Sequence, residues 1–81
     1  MLKIKDDVDL KELEKFGYYE YDDGLNKPHY IYRKYTQSYI TIDILKESRT
    51  IWLNNDECEL PVPVKYITDL IQAGLVKKVE E

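Results

Sequence analysis

His29 is the only imidazole and Cys58 the only thiol in this chain of 81 residues. Metal and thiol chemistry must begin from these two. A zinc-type centre needs three or four ligands, and the pair supplies two. Cys58 stands in Asn54-Asn55-Asp56-Glu57-Cys58-Glu59, and flanking carboxylates raise a thiol pKa, which works against a nucleophile. The same run lacks the central glycine and distal glutamate of a calcium loop. Asp22-Asp23-Gly24 reads as a turn, not as paired acid–base carboxylates. A Ser/His/Asp arrangement would need His29, and nothing beside it in Lys27-Pro28-His29 orients the ring. Three isolated glycines form no phosphate loop. The expectation is a non-enzymatic chain with no metal and no cofactor.

Recognition is the chemistry these residues favour. Of eight tyrosines, six fall between Tyr18 and Tyr35. Tyr30-Ile31-Tyr32-Arg33-Lys34-Tyr35 interleaves rings with cations. Trp, Tyr and Arg dominate protein-binding hot spots. Base stacking beside cations is the alternative, a single-strand nucleic-acid mode in which Lys27, Lys34 and Lys46 would meet the backbone. The net charge of −4 argues against general nucleic-acid binding. Residues 27–49 hold five basic and two acidic residues and the remainder seven and fourteen, a spread that ordinary solvated surface also produces.

The elements that position these residues follow from period and punctuation. Leu2-Lys3-Ile4-Lys5 alternates as a short strand. Asp9 is placed as a helix N-cap, with Glu12 at the capping-box position and Val8 and Leu13 at the staple positions. Leu10, Leu13 and Phe16 form the apolar side of that short helix, and Gly17 suits its left-handed C-cap. Residues 18–22 read as a strand, 22–28 as a loop, and 30–35, 39–45 and 50–53 as an antiparallel meander. Residues 54–59 read as a polar loop, and Pro61 and Pro63 as stops to any strand. Val64, Ile67, Leu70 and Ile71 keep helical spacing up to Gly74, and a last strand covers 75–79.

Alternation then assigns faces. Ile40, Ile42 and Ile44 share one side, with Ile44 opposite Ile51 and Ile42 opposite Leu53. Burying Arg33 there is costly, so Tyr30 and Tyr32 take its place and Arg33 looks the other way. The short link at Thr36-Gln37-Ser38 puts Ile31, Asp43 and Trp52 in one row, Arg33 and Thr41 in the next, and Tyr35 and Tyr39 in a third. The candidate contact residues are therefore Ile31, Arg33, Tyr35, Tyr39, Thr41 and Trp52, with the rings as anchors and Arg33 as the orienting charge. The sequence leaves open whether a helix covers this face.

The chain predicts a single α+β domain over residues 1–81. It has an antiparallel meander of three to five strands, a short N-terminal helix and a longer C-terminal helix packed on the isoleucine face. A lone thiol and no signal-like segment favour a reducing cytosol. No apolar run approaches the ~20 residues of a membrane helix. Ten lysines against two arginines, and eight isoleucines against one alanine, point to an AT-rich gene.

The opening Ile4-Lys5-Asp6-Asp7-Val8-Asp9-Leu10-Lys11-Glu12-Leu13-Glu14-Lys15-Phe16-Gly17 resembles the start of many short phage and prophage proteins of low-GC Gram-positive bacteria. The ending Asp69-Leu70-Ile71-Gln72-Ala73-Gly74-Leu75-Val76-Lys77-Lys78-Val79 is similar to their usual finish. These are cap-and-glycine packing motifs covering under a third of the chain. The resemblance implies a mobile-element origin, host cytoplasm, and a host or phage protein as partner. No functional residues come with it.

Overall fold

A computed structural model describes residues 1–21, 31–37, 39–55 and 57–79. In chain order these form β1 (Leu2–Ile4), a 3₁₀ helix (Leu10–Phe16), β2 (Tyr19–Tyr21), β3 (Ile31–Gln37), β4 (Ile40–Leu45) and β5 (Ile51–Asn54). Strand β6 (Glu59–Pro61), a 3₁₀ turn (Val64–Tyr66), helix α1 (Thr68–Gln72) and β7 (Val76–Lys78) follow. Strands β2 to β6 make a five-stranded antiparallel meander in sequence order, and β1 pairs with β7 in a separate two-stranded sheet. The α+β architecture stands. The predicted turn at 22–28, His29 and Tyr30 lie outside the described residues.

Face assignment follows the alternation. Ile44 lies opposite Ile51 and Ile42 opposite Leu53, while Tyr32 and Lys34 oppose Ile44 and Ile42 from β3. Side chains from outside the sheet complete this layer. Ile4, Leu13, Tyr18, Ile67 and Leu70 are buried in one cluster with Tyr32, Ile42, Ile44, Ile51, Leu53 and Val62. Both helical segments therefore sit on the isoleucine side.

The rows between β3 and β4 differ from the expectation. Ile31 faces Leu45, Arg33 faces Asp43 and Tyr35 faces Thr41; a bulge between Tyr35 and Gln37 then sets Gln37 opposite Ile40. The strand runs on through Thr36 and Gln37, two of the residues taken as its link. That slides the pairing by two positions, which preserves each residue's face and changes every partner.

Caps behave largely as the local chemistry requires. Asp9 accepts from the Lys11 amide, and Gly17 adopts φ 92°. The Tyr18 amide then reaches back to the Leu13 carbonyl, as expected of a left-handed C-cap. The capping box does not close, because the Glu12 carboxylate pairs with Lys15 at 2.8 Å instead. The second cap repeats the scheme, with Gly74 at φ 78° and the Leu75 amide donating to the Leu70 carbonyl.

The long C-terminal helix is replaced by a 3₁₀ turn and the five-residue α1, broken at Ile67 with φ −129°. Val64, Tyr66, Ile67 and Thr68 are β-branched or aromatic and gain little from helix. Ile67 and Leu70 are fully buried, while Val64 and Ile71 stay exposed, so one continuous apolar stripe is not needed. The strand at residues 59–61 was also unexpected. It lies at the edge of the meander, where Pro61 needs no outward donor. Asn55 builds the preceding turn, its Oδ1 accepting from the amides of Glu57 and Cys58 at 2.8 Å each. Asn55, Glu57 and Cys58 thus lie in the turn between β5 and β6.

Two core tyrosines make the fold sensitive to alkali. Burial first, and then a hydrogen bond to Glu20, push the Tyr32 phenol up to about 12. Burial and then Asp69 raise Tyr18, whose hydroxyl finds no hydrogen-bond partner among the described residues. A phenol with a raised folded pKa keeps its proton after the unfolded chain has lost one. Its contribution is complete below the ordinary value near 10 and is lost as pH rises from there towards the folded value. Urea melts between pH 8 and 11 should therefore show stability falling above about pH 10. Tyr18→Phe should stay within about 1 kcal/mol of wild type at pH 7, because its hydroxyl gives up no bond, and should make the alkaline fall shallower. An unchanged fall in that variant would remove Tyr18 from this account.

Candidate functional site

The face opposite the isoleucines is built from odd-numbered positions of β3 and β4, with Trp52 and Asn54 of β5 opposite them. Its centre is an ion pair. Arg33 Nε donates to Asp43 Oδ1 at 2.8 Å and Arg33 Nη2 donates to Asp43 Oδ2 at 3.1 Å. Asn54 Nδ2 adds a third donor to Asp43 Oδ2 at 3.2 Å. The arginine side chain is 17 % exposed and the aspartate 5 %. The hydrogen bond to Asp43 is the largest influence on the guanidinium and raises its already high pKa. The Tyr21 ring closes over the guanidinium, 4.1 Å from its central carbon. Arg33 is thereby held flat between a carboxylate and a ring.

Trp52 lies opposite Asp43 on the far side from Arg33, and opposite Pro61 on its other flank. Its indole is half-buried, and Nε1 donates to Thr50 Oγ1 at 2.9 Å. One edge of the ring is therefore fixed by its own strand. Thr41 is buried beneath its neighbours, next to Asn54 and Tyr35. Tyr35 and Tyr39 are 57 % and 70 % exposed. They do not face each other across the hairpin, because the bulge gives Tyr35 to Thr41 and leaves Tyr39 in the turn before β4. Ile31 holds the register position between Tyr21 and Leu45.

Of the candidate residues, Arg33, Thr41 and Trp52 come together around Asp43, and Tyr35 borders them. Sequence reasoning missed Tyr19 and Tyr21. Both take odd positions in β2, Tyr19 directly opposite Arg33. Their alternation around Glu20 was the available signal. Asp43 was also missed as the partner of Arg33.

The lysines lie elsewhere. Lys34 points to the isoleucine side, where its Nζ is 3.7 Å from Asp69 Oδ2 and lies over the Tyr18 ring. Lys46 reaches Glu20 Oε2 at 3.2 Å and covers the Tyr32 ring. Lys27 lies outside the described residues. Among the described residues, the aromatic face thus carries Arg33 as a cation already matched by a carboxylate, with Glu59 at its β6 border, opposite Asn54.

Among the described residues, no three of His, Cys, Asp and Glu gather as metal ligands would. Among the same residues, no helix is long and apolar enough to cross a membrane. No family model, curated protein or solved structure matches the chain, so its reading rests on the geometry of this face.

Proposed function

We propose that this chain is a non-catalytic protein-interaction module whose contact surface is the aromatic sheet face. One observation carries the reading: the guanidinium at the centre is neutralised from within, while rings around it remain accessible. Such a face offers large, stiff, amphipathic contact area with little free charge. That suits the apolar centre of a protein interface better than a phosphate backbone. Tyr35, Tyr39 and Trp52 are the anchors, while Arg33, held by Asp43, orients the Tyr21 ring stacked on it. We take the chain to be of phage or prophage origin, acting in host cytoplasm on a host enzyme or defence protein. The residue usage and the two terminal motifs support that origin.

A partner recovered from host lysate on immobilised protein provides the test. Tyr35→Ala and Tyr39→Ala should leave stability within about 0.5 kcal/mol, since both rings are exposed. Trp52→Ala should weaken binding by about 2 kcal/mol or more with the fold intact. Unchanged affinity in all three would overturn the reading. Single-strand nucleic-acid binding predicts retention on single-stranded DNA at low salt and steep loss with added salt. A phage structural or assembly role predicts self-association, read by sizing at two concentrations.

A further inference from the structure

Three strands have an outer edge that pairs with no strand among the described residues: β2, β6 and β7. The other side of β1 is bridged to Thr50 through Lys3, and the Ile4 amide donates to the Arg49 carbonyl. Open edges are templates for a further strand, and folded proteins blunt them with proline or with lysine. Strand β6 carries Pro61, and β7 carries Lys77 and Lys78. Strand β2, Tyr19-Glu20-Tyr21, carries neither. Its one charge is drawn back over the sheet: Tyr32 Oη donates to Glu20 Oε1 at 3.0 Å, and Lys46 holds Oε2. Those two bonds also hold the Glu20 carboxyl below its usual range, the Tyr32 bond being the larger influence.

We infer that the outer edge of β2 is a strand-addition site for an extended segment of a partner protein with a basic residue opposite Glu20 and apolar residues on either side. The inference deepens the interaction reading and rests on it, because Tyr19 and Tyr21 join this edge to the aromatic face. Backbone groups of β2 select an extended occupant. Alternation selects its side chains. Residues opposite Tyr19 and Tyr21 fall on the aromatic side, where β-branched or aromatic partners pair best. The residue between them meets Glu20, whose side chain is still 56 % exposed after its two bonds. A second copy of this chain fits poorly, since antiparallel pairing about Glu20 sets two ionised carboxylates opposite each other.

The probe is a blocked peptide, Ser-Thr-Ile-Lys-Ile-Thr-Ser, titrated into isotope-labelled protein. The amides of Tyr19, Glu20 and Tyr21 should shift. N-methylation of the two peptide nitrogens that face β2 should weaken binding by about tenfold, since side-chain contacts survive it and ladder bonds do not. Replacing the peptide lysine by glutamate should weaken binding by about threefold, and Glu20→Lys should reverse that preference. Silence at the β2 amides, or equal binding of the N-methylated peptide, overturns the inference. Shifts confined to Tyr35, Tyr39 and Trp52 would also overturn strand addition, while leaving the contact face intact. A dimer whose interface maps to the β2 amides would overturn the choice of occupant.

Discussion

Asp43→Ala will cost the fold about 3–5 kcal/mol. The carboxylate accepts from Arg33 twice and from Asn54 once, and it is 5 % exposed. Removing it leaves a guanidinium that is only 17 % exposed with no counter-charge and an amide with no acceptor. Breaking one half of a sequestered pair is far more damaging than replacing both halves. A domain of this size holds about 4–12 kcal/mol in all, so the loss is a large share of the total. Urea melts at 25 °C read the loss. The double variant Arg33→Met with Asp43→Leu should regain part of it, because no guanidinium is then stranded although the Asn54 amide still lacks its acceptor. A loss below about 1 kcal/mol in Asp43→Ala would show that water already reaches the pair, and the description of Arg33 as neutralised from within would fail.

Arg49→Ala should be the next largest, at about 3 kcal/mol. Arg49 Nη1 donates to the carbonyls of Lys5 and Val8, both at 2.7 Å. Two charge-assisted bonds thus tie the β4–β5 turn to the segment after β1. Arg49 also has φ 64°, the only positive value for a non-glycine among the described residues. Holding that conformation costs about 1 kcal/mol or more, which the side-chain bonds offset. The comparison with Arg49→Gly separates the two effects. Glycine loses the same bonds but relieves the backbone, so it should be less harmful than alanine by about 1 kcal/mol. Equal losses would mean that the turn is unstrained. No loss in either would mean that the two carbonyls are satisfied by water.

The faces of the sheet were legible because one residue of slip would have put Arg33 among the isoleucines. The rows were not legible, because a slip of two leaves that test satisfied. A stronger constraint lay in the same residues. Only the observed register sets Arg33 against Asp43, and opposite charges directly across a ladder stabilise each other. The bulge after Tyr35 hid it by carrying β3 into Thr36 and Gln37, residues assigned to the link. At the C-terminus, the spacing of Ile67 and Leu70 correctly marked core, and the same spacing over-extended the helix through Val64 and Ile71. Short helical segments depend on tertiary contacts more than on propensity, so pattern alone could not set their ends. Pro61 misled for a related reason: a proline excludes a central strand but not an edge one.

The same two-position slip alters what the face offers. In the expected rows Arg33 stood free beside Thr41 as a charge for a partner to meet. In the observed rows its role is internal, and the proposed contact surface becomes a set of rings steadied from below. Tyr19 and Tyr21 extend that surface to the β2 edge.

Strands β1 and β7 meet late in any assembly of this molecule. The Asp6–Lys77 contact beside them spans 71 positions of chain, whereas β2 to β6 zip up by neighbouring hairpins. Loops closed over such a distance form after local ones and reopen before them. The meander therefore behaves as a unit with a seam, and peeling β7 away opens the edge of β1 at Leu2–Ile4. A protease or an unfolding machine that pulls on residues 76–79 starts at the weakest stitch and meets the sheet proper only afterwards.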